Sequence, residues 1–143
     1  MKKLLLLFIT LSLFTFSSCS LNDDDRLQFH MEFVPVTSVE MPEYFERGGT
    51  YTIDVYYTRP NDCHYFEGFA YEANGNARTV AVQTIVIEDA ECQPLPTDAP
   101  EKASFEFLCA PQYNNQTYVF KFYQGADANG NQQFLEVEVP VEQ

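Results

Sequence analysis

A β-hairpin between residues 63 and 88 constrains the fold of this chain more than any other feature of its sequence. Two runs, 63–73 and 77–88, flank the turn-forming stretch Asn74-Gly75-Asn76. Gly in the turn and β-branched residues in the second run are typical of two antiparallel strands joined by a tight connection. The sequence therefore predicts a β-rich fold that contains this antiparallel pair.

The charges of the two runs indicate the register of the hairpin. If Glu72 lies opposite Arg78, the two side chains form a favourable cross-strand pair that neighbouring registers lose. The same register sets Cys63 opposite Ile87 at the open end of the hairpin. Cys92 follows Ile87 by only five residues, so a short turn brings it back to Cys63. The register therefore predicts a disulfide between Cys63 and Cys92.

Cys109 lies in a different sequence environment. It alternates with Phe105 and Phe107, which places all three side chains on one face of a strand. We interpret it as a buried free thiol, because an unpaired cysteine packs like a small apolar residue. No Cys-x-x-Cys motif or pair of neighbouring histidines accompanies the cysteines, so the sequence predicts no metal-binding or catalytic role for them.

The remaining sequence alternates with a period of two and shows little helical periodicity. The odd-numbered residues of 51–57 are apolar or aromatic, and Thr52, Asp54 and Tyr56 lie between them on the other face, as expected of a half-buried strand. Pro35 interrupts another run and indicates an edge strand. In all, seven strands are predicted, at 34–39, 51–58, 63–73, 77–88, 104–109, 117–124 and 133–141.

This set of strands predicts an all-β fold, an antiparallel β-sandwich of immunoglobulin-like architecture. The Cys and Trp pattern of antibody domains is missing, and the chain has no Trp. The prediction therefore concerns the architecture alone. A small β-barrel is the alternative.

The last two strands have a register that satisfies both of their faces. It pairs Lys121 with Glu136 and Tyr123 with Phe134 on one face. On the other face it collects six large side chains: Tyr118, Phe120, Phe122, Leu135, Val137 and Val139. The same register leaves residues 125–132 as an eight-residue loop.

That loop has part of the pattern of a calcium site. Asp127, Asn129 and Asn131 alternate like the first ligands of a calcium-binding loop, and Glu138 falls at the twelfth position. Gln132 stands where such a loop needs Gly, and Glu138 lies inside a predicted strand. We therefore interpret the loop as a turn and expect no metal or other cofactor, with calcium as the alternative.

The aromatic content of the chain favours a binding role. It has 13 Phe and nine Tyr, and Tyr56, Phe66 and Tyr123 fall on faces predicted to point outward. Exposed aromatic side chains form platforms for protein or sugar, and the lack of Trp favours protein. The alternative is that both faces of 63–73 are covered, one by the opposing sheet and one by loops.

The sequence carries no motif of a catalytic site. Gly-x-Ser-x-Gly, His-Glu-x-x-His and a phosphate-binding Gly-rich loop are all missing. His30 precedes the first predicted strand and His64 lies beside the predicted disulfide, so neither has the neighbours expected of a general base. We therefore expect a protein that is not an enzyme.

The N-terminal region has the composition of an export signal. Basic Lys2-Lys3 precedes an apolar run, 4–16, which is too short to span a bilayer, and Ser17-Ser18 follows. Cys19 comes next, before the polar and acidic stretch 20–25. This order resembles the lipobox of bacterial lipoproteins, whose Cys is acylated, and the acidic stretch resembles the surface-export signal of Bacteroidetes lipoproteins.

The domain also resembles small flavobacterial lipoproteins of uncharacterised function. A Cys-containing aromatic strand, 63–71, and a Gly-x-Asp-x-x-Gly hairpin formed by Gly125, Asp127 and Gly130 carry this resemblance. It implies no activity. The two resemblances together imply a lipid-anchored protein of the outer membrane that is exposed at the cell surface.

We therefore divide the chain into a signal peptide, 1–18, a lipidated Cys with a flexible acidic tether, 19–33, and one β-sandwich domain, 34–143. Removing 1–18 leaves six Lys and Arg against 21 Asp and Glu, a formal net charge of −15, which excludes nucleic acid as an expected partner. We expect a display or protein-interaction accessory module, held to the membrane by its lipid and bound to a surface protein. A module that binds glycan or calcium is the alternative.

The lipid anchor can be tested by replacing Cys19. We expect Cys19→Ala to block processing or to release the protein from membranes, because the acyl chains are attached to this sulfur. Fractionation of cells, with the intact mass of the membrane-extracted wild-type protein, measures both effects. Recovery of a soluble, unmodified wild-type chain would contradict the assignment.

Overall fold

The computed structural model describes residues 28–88 and 90–142, so signal segment 1–18 and Cys19 lie outside the described residues. Within this part of the chain no helix is long and apolar enough to cross a membrane. The described residues form nine β-strands. These are β1 (Phe29–Val34), β2 (Val36–Glu40), β3 (Phe45–Glu46), β4 (Thr50–Tyr57), β5 (His64–Asn74), β6 (Ala77–Ile87), β7 (Glu101–Leu108), β8 (Thr117–Ala126) and β9 (Gln132–Glu142).

The strands form two sheets that pack face to face as a β-sandwich. The smaller sheet has three strands in the order β2-β4-β7, and the larger has six strands arranged around β6. Strand β5 pairs with one edge of β6. Strands β1 and β8 both pair with the opposite edge, β8 with its first residues and β1 with its last. Strands β9 and β3 then extend the larger sheet beyond β8. The predicted sandwich is confirmed, and the alternative of a closed barrel is wrong.

The predicted strand 34–39 is two strands in different sheets. Pro35 lies between β1, which pairs with β6, and β2, which pairs with β4. Since proline has no N–H to donate to a sheet, the ladder ends there and the chain crosses to the other sheet. Strand β1 begins at Phe29, so the assignment of 29–33 to the tether is wrong.

Two of the strand pairs are parallel, where the sequence predicted an antiparallel sandwich. The two-residue strand β3, which the sequence did not predict, runs parallel to β9, and the first half of β6 runs parallel to β8. The other pairs of named strands are antiparallel.

A β-bulge divides the β5–β6 hairpin into two registers. At the open end Ile87 donates its N–H to the carbonyl of Cys63 at 3.2 Å, as the sequence predicted. The register then shifts between Phe66 and Gly68, so that Glu72 lies opposite Thr79. The predicted pairing of Glu72 with Arg78 is therefore wrong, because one extra residue in β5 displaces every later pair.

The bulge determines which aromatic side chains of β5 point into the sandwich. Phe66 pairs with the buried Thr84 on the inner face, and without a bulge Phe69 would point to the opposite face. Because of the extra residue, Phe69 and Tyr71 also point inward. Their rings pack against Phe105 of β7, with centroid distances of 5.1 Å and 6.4 Å.

The β8–β9 hairpin has the predicted register. Lys121 lies opposite Glu136 and forms a salt bridge of 2.8 Å, and Tyr123 lies opposite Phe134. The connection is shorter than predicted, because β8 continues to Ala126 through an irregularity and β9 begins at Gln132.

The core between the sheets is rich in aromatic rings. Phe45 of β3 is fully buried, with its ring centroid 4.8 Å from that of Phe107 and 5.8 Å from that of Tyr118. Cys109 has no exposed surface and belongs to the same cluster, as predicted, and its thiol is free. Burial raises the pKa of this thiol, which keeps it in the unreactive protonated form.

The predicted disulfide between Cys63 and Cys92 is present, with the two Cα atoms 5.5 Å apart. It ties the start of β5 to the segment that follows β6. The same contact region includes a β-bridge between Asn61 and Pro94. The two cysteines are 29 residues apart in sequence, so the bridge closes a loop of moderate length.

Removing the disulfide is expected to lower the free energy of unfolding. For a loop of this length the chain-entropy model gives a loss of about 3 to 4 kcal/mol in the double variant Cys63→Ala/Cys92→Ala. Urea unfolding of this variant and of the wild type without reductant measures the difference. Cys109→Ala, which keeps the disulfide, is the control, and a loss below about 1 kcal/mol in the double variant would contradict the expectation.

Candidate functional site

The outer face of the larger sheet exposes a continuous group of apolar side chains, called here the outer apolar face. Phe29, Met31 and Phe33 alternate along β1, and Tyr65 extends the group onto β5; all four are 46% to 58% exposed. Met31 and Tyr65 both pair with Ile85 of β6, which shows that they point to the same side. The face consists of Phe29, Met31, Phe33, Tyr65, Ala70, Ala81, Ile85, Ile87, Tyr123 and Phe134, and it surrounds one polar side chain, Gln83, whose amide donates a hydrogen bond of 3.0 Å to Met31 Sδ.

A shallow cleft lies within the outer apolar face. The ring of Tyr123 makes edge contacts with those of Phe33 and Phe134, each at a centroid distance of 6.1 Å. The small side chains Ala70 and Ala81 also line the cleft, which encloses about 230 Å³. Large rings beside small residues leave a recess that can accept an apolar side chain from another molecule.

The three residues of the predicted aromatic platform lie on different surfaces. Tyr123 belongs to the outer apolar face, whereas Phe66 lies on the inward side of β5, where it stacks on Tyr57 at 5.9 Å and keeps 43% of its surface exposed. Tyr56 lies on the outer face of the smaller sheet and donates a hydrogen bond of 2.9 Å to the Glu40 carboxylate, which raises the pKa of the Tyr56 hydroxyl. The alternation of Phe29 with Met31 and Phe33 could have revealed β1.

The outer face of the smaller sheet is polar apart from Leu108 at the end of β7, which is 58% exposed. Asp54 accepts hydrogen bonds from Lys102 at 2.7 Å and from Ser104 at 2.6 Å, and the Lys102 contact is the main cause of the lowered pKa of Asp54. Thr52 donates to Glu106 at 2.8 Å. The polar side chains of this face satisfy one another, so the two outer faces of the sandwich differ in chemistry.

A second cleft opens between the two sheets, at one edge of the sandwich. Phe69 and Tyr71 of β5 line it together with Phe105 of β7 and Tyr118 of β8, around a volume of about 580 Å³. Among the described strands, β5 pairs only with β6 and β7 only with β4. The cleft therefore lies where the two sheets end beside each other.

A cluster of polar side chains lies near the disulfide. Glu32 Oε2 is 3.2 Å from His64 Nε2 and 3.8 Å from His30 Nε2. His64 is buried, with 4% of its surface exposed, and its Nδ1 lies 2.8 Å from Asn61 Oδ1. His30 Nδ1 lies 3.0 Å from Glu88 Oε1. Sequence reasoning found no partner for either histidine, because it did not predict β1, whose pairing with β6 brings His30 and Glu32 near His64.

The loop that carries Asp127 uses the oxygens of this carboxylate for its own hydrogen bonds. Asp127 Oδ1 accepts the backbone N–H groups of Asn129 and Asn131 at 2.8 Å and 2.9 Å, and Oδ2 accepts the Asn131 side-chain amide at 3.0 Å. These bonds, with that from the Asn131 side chain as the largest contribution, lower the pKa of Asp127. The loop is therefore a turn in which the Asp127 side chain hydrogen-bonds to the backbone of the following residues.

Comparisons with protein-family models, with curated proteins and with solved structures found no match. Two features of the described residues suit an interaction with another molecule: the outer apolar face and the cluster around Glu32.

The hydrogen bonds of Asp127 are expected to make hairpin stability depend on pH. Because folding lowers the pKa of this carboxyl, its contribution is present above the unfolded value of about 3.9 and is lost as the pH falls through the lower folded value. In Asp127→Asn we expect lower stability at neutral pH and a smaller loss in acid. Urea unfolding at several pH values measures this, with Asp98→Asn in an exposed loop as the control. An unchanged pH profile in Asp127→Asn would contradict the assignment.

Proposed function

We propose that this protein is a lipid-anchored surface module of the bacterial outer membrane that binds another protein through its outer apolar face and is not itself an enzyme. The observation that carries the proposal is the exposure of Phe29, Met31, Phe33 and Tyr65 on one side of one sheet. Large contiguous apolar patches are uncommon on monomeric soluble proteins, and they commonly mark interaction sites. The contrast with the polar face of the smaller sheet supports the same conclusion.

The chemistry of the face favours a protein as its occupant. Aromatic residues and Met are enriched at protein interfaces, and the cleft beside Tyr123 can accept one apolar side chain. The chain has only eight Lys and Arg against 21 Asp and Glu, so an anionic membrane surface would repel it. Sugar platforms commonly use Trp, which the chain lacks.

The position of β1 in the chain fits an anchored binder. Ten residue steps separate Cys19 from Phe29, which limits their distance to about 36 Å in a fully extended chain. The outer apolar face would then lie within reach of other proteins of the same membrane. Calcium is not favoured as the ligand of this module, because the Asp127 oxygens are already used within their loop.

Site-specific photo-crosslinking on intact cells tests the proposal. A benzophenone amino acid in place of Met31 puts the reactive group on the outer apolar face, and the same group in place of Ser104 puts it on the polar face of the smaller sheet. We expect a discrete adduct with one other protein from position 31 and none from position 104. Mass spectrometry identifies the adduct.

A second substitution separates specific binding from chance contact. Tyr123→Ala removes one wall of the cleft. Loss of a central aromatic side chain commonly costs about 1.4 kcal/mol or more of binding free energy, which weakens binding by tenfold or more. We therefore expect the Tyr123→Ala substitution to lower the yield of the adduct formed from position 31. An adduct with lipid alone, an adduct with a second copy of this chain, or no adduct at all would contradict the proposed protein partner.

A further inference from the structure

The two histidines of the chain lie on either side of one carboxylate. His30 of β1 and His64 of β5 both pair with Val86 of β6, from its opposite edges. Paired residues point to the same side of a sheet, so both imidazoles lie on the inner face. Glu32, two residues after His30, points to that face as well, and its Oε2 is 3.2 Å and 3.8 Å from the Nε2 atoms of His64 and His30.

The hydrogen bond of His64 to Asn61 determines which nitrogen of His64 carries a proton. Asn61 Oδ1 accepts the backbone N–H of Cys63 at 3.1 Å, which identifies this atom as the amide oxygen. His64 Nδ1, 2.8 Å from the same oxygen, must therefore donate a proton to it. In the neutral imidazole Nε2 then has a lone pair, and this lone pair faces Glu32.

His30 is held in the same way. Its Nδ1 lies 3.0 Å from Glu88 Oε1, and a carboxylate oxygen can only accept a hydrogen bond from it. The Nε2 of a neutral His30 is therefore also an acceptor, and it also faces Glu32 Oε2. Two lone pairs and one carboxylate oxygen converge, and a cation between them, either a proton on an imidazole or a metal ion, removes their repulsion.

We propose that His30, Glu32 and His64 bind a divalent transition-metal ion of the zinc class. Two imidazole nitrogens and one carboxylate oxygen are a ligand set that zinc uses, with water at the fourth position. Imidazole favours zinc, copper or nickel over calcium and magnesium. Glu88 and Asn61 hold the Nδ1 atoms as outer partners commonly hold metal-binding histidines.

Binding requires a small movement of one exposed side chain. Ligand atoms of a tetrahedral zinc site are about 3.3 Å apart, close to the 3.2 Å and 3.8 Å contacts of Glu32. Within the described residues the ligand-type side chains do not yet surround one point closely enough to hold an ion. Glu32 is the side chain that can turn to close the site, because it is 51% exposed, whereas Glu88 holds His30 and Asn61 holds the buried His64.

The ion would join β1 to β5 across β6, beside the Cys63–Cys92 disulfide. It would therefore stabilise the strand that carries Phe29, Met31 and Phe33. Metal binding to the folded state alone raises the melting temperature, by about 5 °C or more when the free ion is at 100 times its Kd. This inference does not depend on the proposed protein partner.

Zinc titration of the purified full-length protein, near neutral pH without reductant or chelator, tests the proposal. We expect one equivalent of zinc to bind and to raise the melting temperature, and we expect calcium and magnesium to have no such effect. His30→Ala and Glu32→Gln should abolish binding. Met31→Ala, on the opposite face of the same strand, is the matched control and should bind zinc like the wild type.

Two further measurements distinguish this site from metal bound elsewhere. Glu88→Gln should weaken zinc binding by about 10- to 100-fold, because it removes an outer hydrogen-bond partner and leaves the ligands intact. Nitrogen NMR of the imidazoles should show zinc shifting both Nε2 resonances while both Nδ1 atoms remain protonated. The proposal would be overturned if zinc binding were not saturable, or if His30→Ala and Glu32→Gln bound zinc as tightly as the wild type. It would also be overturned if calcium raised the melting temperature as much as zinc does.

Discussion

Strand β6 is the constraint on which the rest of this structure depends. It pairs with β5 along one edge and with β1 and β8 along the other, so the larger sheet cannot form without it. Its inward residues Val80, Val82 and Thr84 have no exposed surface, because the smaller sheet and the aromatic core cover them. Its outward residues Ala81, Ile85 and Ile87 belong to the outer apolar face. Both candidate sites are therefore organised by the two sides of one strand.

The bulge in β5 allows the two ends of this strand to make contacts that a regular strand could not make together. At the disulfide end, Cys63 and His64 must lie beside the last residues of β6, and at the other end Phe69 and Tyr71 must face Phe105. Without the bulge, alternation would place Phe66 and Phe69 on opposite faces. One extra residue near Glu67 places both on the inward side of the sheet, which keeps these rings off the outer apolar face.

The two outer faces show how one acidic domain can present two chemistries. On the smaller sheet, Asp54 with Lys102 and Thr52 with Glu106 pair across strands, so each polar group already has a partner. On the larger sheet, Phe29, Met31 and Phe33 meet solvent directly. Burying the second face removes apolar area from water, whereas burying the first would cost the hydration of its charges. This difference supports the proposed association through the larger sheet.

The sequence by itself determined the features that depend on local alternation and short separations. The β8–β9 register, the Cys63–Cys92 disulfide and the burial of Cys109 follow from patterns that neighbouring residues carry. The tertiary structure alone decided the crossing at Pro35, the bulge near Glu67 and the meeting of His30 with His64. These features depend on which distant strand lies alongside each segment, and the free energy of that pairing comes from burial across the whole sandwich. No short stretch of sequence contains that information. The alternation of apolar and polar residues with a period of two indicates a strand but does not indicate which other strand it pairs with.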